Sequence, residues 1–362
     1  MTETAPQSLI SPTSNPELES ALRDRVDRRA AICGALGELE PLAVRLGLIQ
    51  NSLTPRFRDP VLAMFAADHG LAVEGVCNQT ASGLLRPTKE QVHMALHAQL
   101  PVAVFARLQG LHLTVVDCGV ADNLAPHARL MARKIAHGTR NAKSALAMSL
   151  EQAHAGVRVG MEIADNLPGN ALACSGLGVG AAESAALVLS RLSDQSVREF
   201  VVSGPQMRQD ELVHLLDVLH AALTRHRDAL SPMEVLAALG GFEVAVMVGA
   251  MLVAASKRSL IIVDGIAACA ALKVASLICA PVTDYAVFCR SRVHRGLDEA
   301  LSLFHSSALL ELGMDCADGT GAALAWPMIR AAAALLSDLH ESNEGRLSSR
   351  PDPNSAQLPT LS

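Results

Sequence analysis

Six short apolar segments, at 61–66, 113–116, 171–174, 199–202, 260–263 and 285–288, are separated by long Ala/Leu-rich stretches of helical character. Each segment lies beside a turn signal. Strands alternating with helices predict a mostly parallel sheet covered by helices on both faces. Such sheets bind ligands at the carboxyl ends of their strands. The residues expected there are Asp68-His69-Gly70, Asp117-Cys118-Gly119, Ser175-Gly176, Ser203-Gly204 and Asp264-Gly265. An Asp or Ser close to a Gly recurs among them, as a polar pocket on one sheet edge requires.

The chain has 362 residues, half of them hydrophobic, enough for one large domain or two smaller ones. Aromatic residues make up only 2%, so stacking on nucleic-acid bases is hard to build. A net charge of −6 gives no electrostatic case for nucleic acid or an anionic membrane as partner. The eight cysteines include no C-x-x-C pair and are expected to be reduced, mostly core residues. The polar N-terminal stretch has no apolar signal-peptide region, and the longest apolar run, 244–255, is too short to span a bilayer. A soluble, cytoplasmic protein is expected. Residues 17–47 and 297–339 are expected to be helical, and the Ser/Thr/Pro-rich stretch 1–16 and polar stretch 342–362 disordered.

Asp318-Gly319-Thr320-Gly321 precedes an apolar helical run. It has two readings. One is an ordinary helix start, with Asp318 or Thr320 as cap. The other is a ligand loop, where glycines admit close backbone approach and free N–H groups favour a polar or anionic ligand. Gly176, Gly178 and Ala181 fit a weak dinucleotide fingerprint. His93 and His97 have a metal-compatible spacing, but no companion motif supports a metal role, and none is assigned. Arg140 suits a carboxylate ligand or a structural pair with Asp117 or Asp264. Glu243 is either a ligand-facing group or a routine first-turn acid.

Taken in order, Phe65-Ala66-Ala67-Asp68-His69-Gly70 with Glu74-Gly75-Val76, Val115-Val116-Asp117-Cys118-Gly119-Val120, Gly138-Thr139-Arg140-Asn141, Leu239-Gly240-Gly241-Phe242-Glu243-Val244, Val263-Asp264-Gly265 and Asp318-Gly319-Thr320-Gly321-Ala322-Ala323-Leu324-Ala325 carry a resemblance. Together they resemble the nicotinate-nucleotide–dimethylbenzimidazole phosphoribosyltransferase family of cobalamin biosynthesis, over roughly 20–340. The resemblance implies a Rossmann-like, mostly parallel six-stranded α/β sheet at 60–296. It also implies a small helical domain from both chain ends, 17–59 and 297–341, and a homodimer. The implied reaction moves phosphoribose from nicotinate mononucleotide to a benzimidazole-type base, giving α-ribazole 5′-phosphate and nicotinate. No cofactor or metal is implied. Asp318 stands where the family has its catalytic Glu and is the expected general base. Asp68, His69, Gly70, Gln91, Gly176, Gly178, Gly180, Gly204, Asp264, Ser291, Gly319, Thr320 and Gly321 are the expected substrate-binding residues.

The sequence also departs from that family. Asp318 is one methylene shorter than Glu, and a shift of about 1 Å can cost about 10²-fold in rate. Ala181-Ala182-Glu183 replaces an Asn-Thr-Thr run, Gly204-Pro205-Gln206 replaces Gly-Thr-Gly, and Leu215 falls at a family lysine. Cys289-Arg290-Ser291 retains part of a longer His-x-Ser motif, with Arg290, Arg292 and Arg295 as candidate compensating cations. Three readings follow: an active transferase with altered phosphate anchoring, a degenerate paralogue serving as partner subunit of an intact homologue, or a small-molecule binder without turnover.

Overall fold

The computed structural model describes residues 9–76, 79–80, 83–84, 86–201, 207–290, 295–314, 316 and 318–338. Seven strands form one parallel sheet: β1 (Val61–Ala67), β2 (His112–Gly119), β3 (Leu130–Ala132), β4 (Ala171–Leu177), β5 (Leu260–Asp264), β6 (Ala286–Arg290) and β7 (Ala308–Leu310). Their order across the sheet is β3-β2-β1-β4-β5-β6-β7. The chain therefore starts in the middle, builds outward through β2 and β3, then returns to β4 beside β1. The strand order reverses between β1 and β4, and the crevice at their carboxyl ends is where this topology binds ligands.

Every residue of β1, β4, β5 and β6 is buried, as strands covered on both faces must be. Adjacent residues still face opposite ways. Gly176 faces the helices Phe242–Ser256 and Ile266–Ile278, whereas Ser175 faces Gly319 and the helix Thr320–Ser337. Register sets Ser175 beside Asp264 on β5 and beside Met64 on β1. Helices Pro16–Cys33 and Leu39–Gln50 pack with Thr320–Ser337, so elements from both chain ends meet. Phe57 meets the Trp326 ring edge-on, with centroids 5.0 Å apart. Part of the stretch expected to be disordered is anchored: Tyr285 Oη donates to Ser11 O at 2.7 Å and Thr13 N to Asp284 Oδ2 at 3.0 Å. Residues 342–362 lie outside the described residues.

The structure corrects three expectations. First, the segment expected as a strand at 199–202 is not one over its described residues 199–201, since Val197–Phe200 forms a single helical turn, and Val202 lies outside the described residues. Val197 and Phe200 are both buried and lie three residues apart, a helical spacing. Second, the sheet gains β3 and β7, three-residue edge strands too short to show a period. Third, 297–339 is not continuously helical. It divides into Arg295–Ser302, the strand β7 and Thr320–Ser337. Four of the described cysteines, Cys118, Cys174, Cys269 and Cys289, are buried thiols, with Cys269 pushed up to about 12 chiefly by burial. Among the described residues no helix is long and apolar enough to cross a membrane.

The helical turn at 197–200 makes a direct prediction. Phe200→Ala should lower unfolding free energy by about 3–5 kcal/mol. Its exposed neighbour Arg198→Ala should change it by less than about 0.5 kcal/mol. Denaturant midpoints at constant slope measure both.

Candidate active site

The loop leaving β1 is organised by Asp68. Its Oδ1 accepts the Thr88 hydroxyl and its Oδ2 accepts Ala121 N at 2.7 Å. Its backbone carbonyl accepts Thr139 N at 3.0 Å, and Thr139 Oγ1 in turn accepts Gly70 N at 3.2 Å. Thr88, only 2% exposed, also accepts Val179 N at 3.0 Å and so joins the β1 and β4 loops across the switch point. Sequence reasoning missed Thr88. The available signal was its place at the start of a helix, directly after Pro87.

Gly178 and Gly180 carry the β4 loop into the helix Ala181–Ser193. Gly178 has φ +147° and lies against the Ala67 carbonyl, leaving no room for a side chain, and Gly180 abuts His69. His69 and Glu243 are both buried, with His69 Nε2 3.1 Å from Glu243 Oε1. The two form an ion pair when His69 is protonated. Burial pushes the His69 imidazole down, but Glu243, helped by Asp68 and Glu183, outweighs this and holds it above its ordinary value. Glu243 does stand in the first turn of the helix Phe242–Ser256, and it is fully buried beside His69. Gly241 fits tightly against both side chains, which explains the glycine before Phe242-Glu243.

The second cluster lies on the other face. Gly319 caps the helix Thr320–Ser337 at φ +90°, a left-handed conformation suited to glycine. Asp318, 8% exposed, accepts Thr320 N at 3.1 Å and Thr320 Oγ1 at 2.6 Å, both on Oδ1. Oδ2 accepts no hydrogen bond from a described residue. The capping geometry of the ordinary helix start is therefore present, and one carboxylate oxygen is left over. Ser175 Oγ is fully buried, has no hydrogen-bond partner among the described residues and lies 3.0 Å from where a Cβ on Gly319 would stand. Asp264 accepts Arg290 Nε on Oδ1 at 2.6 Å and Ala322 N on Oδ2 at 3.0 Å, with Gly321 packed against the pair. Burial and the Asp318 carboxylate push the half-buried Cys316 thiol up, while Arg290 opposes them.

The expected site residues thus fall into two groups. Asp68, His69, Gly70, Gly178 and Gly180 form one, and Asp264, Asp318, Gly319, Thr320 and Gly321 form the other. Gly176 and its neighbour Ser175 on β4 face one group each. Gln91 lies three residues after Thr88 on the same helix and donates Nε2 to Arg86 O at 2.6 Å. Gly204 and Ser291 lie outside the described residues, as do Pro205, Gln206 and Arg292. Arg140 pairs with neither suggested aspartate. Its Nε donates to Leu146 O at 2.8 Å, while Asp117 holds Lys134 at 3.1 Å. Leu215 is a core residue, 2% exposed. His97 caps its helix through the His93 carbonyl at 2.9 Å with the two rings stacked, and no described cluster suits a metal ion.

The fold is that of a doubly wound α/β protein, with an acid at a helix N-terminus on the carboxyl edge where such sheets bind their ligands. The chain belongs to the phosphoribosyltransferase family, whose model matches residues 11–347. It is 38% identical over 331 residues to a nicotinate-nucleotide–dimethylbenzimidazole phosphoribosyltransferase of Cupriavidus taiwanensis, covering 90% of this chain and 94% of that one. It is 37% identical to the protein of the same name from Variovorax paradoxus, covering 91% and 93%. The crystal structure of a nicotinate-nucleotide–dimethylbenzimidazole phosphoribosyltransferase from Thermus thermophilus is similar with a TM-score of 0.81. The two are 29% identical, with 89% of this chain and 96% of that one covered.

The His69–Glu243 pair predicts a pH effect of definite sign. The folded His69 value is raised, so the pair's stabilisation is complete below the ordinary histidine value of 6.5 and is lost as pH rises through the raised one. The gap in melting temperature between wild type and Glu243→Gln should therefore shrink from pH 6 to pH 9, as about the ordinary histidine range is crossed. A gap that widened with pH would contradict the pairing.

Proposed function

We propose that the protein transfers phosphoribose from nicotinate mononucleotide to a benzimidazole-type base, giving α-ribazole 5′-phosphate and nicotinate, with Asp318 as general base. The relatives carry this activity in their names. The observation carrying the proposal is the half-engaged Asp318 carboxylate at the end of the sheet, with Oδ1 held by Thr320. The quaternary nicotinate nitrogen leaves as a neutral ring nitrogen when the C1′–N bond breaks. The attacking ring nitrogen forms the new bond to C1′, and the benzimidazole N–H proton passes to Asp318 Oδ2. A positioned carboxylate of this kind contributes about 10²–10⁴-fold. The glycines of both groups would let substrate approach the backbone closely. A cytoplasmic homodimer accompanies this reading.

A second reading makes the chain a binder, or the partner subunit of an intact homologue in a heterodimer. One observation favours it: Leu215 lies in the core and Arg290 is engaged with Asp264, so neither offers a free cation to a phosphate. Calorimetry with nicotinate mononucleotide separates the two. Micromolar affinity supports the enzyme, and no heat at millimolar concentration supports the second reading.

Asp318→Asn should cut turnover by about 10²–10⁴-fold without loss of fold. Asp318→Glu should keep turnover within about 10²-fold of wild type. Wild-type turnover in Asp318→Asn would remove Asp318 from the mechanism.

A further inference from the structure

One buried ion pair holds the Asp318 loop at both ends. Arg290, the last residue of β6, donates Nε to Asp264 Oδ1 at 2.6 Å and Nη1 to the Met314 carbonyl at 3.1 Å. Asp264, the last residue of β5, accepts Ala322 N on Oδ2 at 3.0 Å. Met314 stands four residues before Asp318 and Ala322 four residues after it. A single guanidinium–carboxylate unit therefore grips the chain where it enters the loop and where it leaves.

The pair is well placed to fix a position. Its side chains are 5% and 0% exposed, so little water competes for the bonds. Gly321 lies directly over it, where a Cβ would come within 2.8 Å of Arg290 Cδ and 2.9 Å of Asp264 Oδ1. The helix start is thus pressed onto the pair. Removing either charge would leave the other buried and unpaired.

We propose that Arg290 and Asp264 are positioning residues that set how deeply Asp318 reaches into the site. This rests on Asp318 being the proton acceptor. An aspartate has one methylene less reach than a glutamate, so its backbone must be held closer to the reacting nitrogen. Drawing both loop ends onto β5 and β6 does this. Arg290 then acts on catalysis through the loop rather than as a cation for the substrate phosphate.

The test compares Arg290→Met, Arg290→Lys and Asp264→Asn in the full chain. Transfer from nicotinate mononucleotide to dimethylbenzimidazole is measured, with melting curves to establish folding. Arg290→Met and Asp264→Asn should lower kcat by about 10²-fold, with KM for the mononucleotide unchanged. Arg290→Lys keeps the charge but cannot make both the Nε and Nη1 bonds, and should fall between. The distinguishing readout is the double variant. In the slackened Arg290→Met loop the longer Asp318→Glu side chain should recover at least about tenfold in kcat, a non-additive gain absent from the wild-type background. If Arg290→Met does not fold, Arg290→Lys with and without Asp318→Glu carries the same comparison. Full kcat in the Arg290 variants overturns the proposal, as does a raised KM for the mononucleotide at unchanged kcat, which would make Arg290 a phosphate ligand. Those results leave Asp318 as base intact if Asp318→Asn is inactive. An active Asp318→Asn removes the base assignment instead.

Discussion

Asp264 ends β5 with both carboxylate oxygens engaged, one by Arg290 Nε and the other by the Ala322 amide. Two constraints meet there. The Asp264 side chain is fully buried, so its carboxylate must be paired, and the first turn of the helix Thr320–Ser337 has amides without intrahelical partners. Each need is met by the other. As a result the last helix, from a distant part of the chain, begins at a fixed height above the ends of β5 and β6. Gly319 and Gly321 are small enough to let it settle there, and Asp318 is carried to the sheet edge with them.

The β1–β4 switch point carries the other group of candidate site residues. Thr88 and Asp68 pin the loops after the two strands together, and His69 and Glu243 tie them to the helix on the far face. Ser175 and Gly176 are neighbours on β4 yet face the two clusters separately, so a ligand at the strand ends would meet both. Buried polar groups in native proteins rarely lack partners. Among the described residues, the Ser175 hydroxyl and the Glu243 carboxylate are two such exceptions near the switch point, with others elsewhere in the chain. A site that keeps polar groups ready for a ligand has that character.

Much of this was legible in the sequence, because β1, β2, β4, β5 and β6 are apolar runs ending in polar and glycine residues. That pattern follows from burial on both faces and a functional edge. The segment at 199–202 misled because valine and phenylalanine are strand formers, and only the i,i+3 burial of Val197 and Phe200 reveals the helix. The edge strands β3 and β7 take their form from neighbours rather than from their own three residues. In the site, the Asp318 loop was visible from its acid and glycines. The partners of Asp68, Glu243 and Arg290 were not, since Thr88, His69 and Asp264 are distant in sequence and only strand order brings them close. Arg290 reads in the sequence as a candidate compensating cation, whereas the structure engages it with Asp264.

We propose that phosphoribosyl transfer takes place at this edge of the sheet. The most direct measurement incubates the purified wild-type protein with nicotinate mononucleotide and dimethylbenzimidazole, and quantifies both products by chromatography. α-Ribazole 5′-phosphate and nicotinate should form in equal amounts, with no nicotinate released when the base is omitted. Well-folded protein yielding neither product, or releasing nicotinate without any acceptor base, would contradict it.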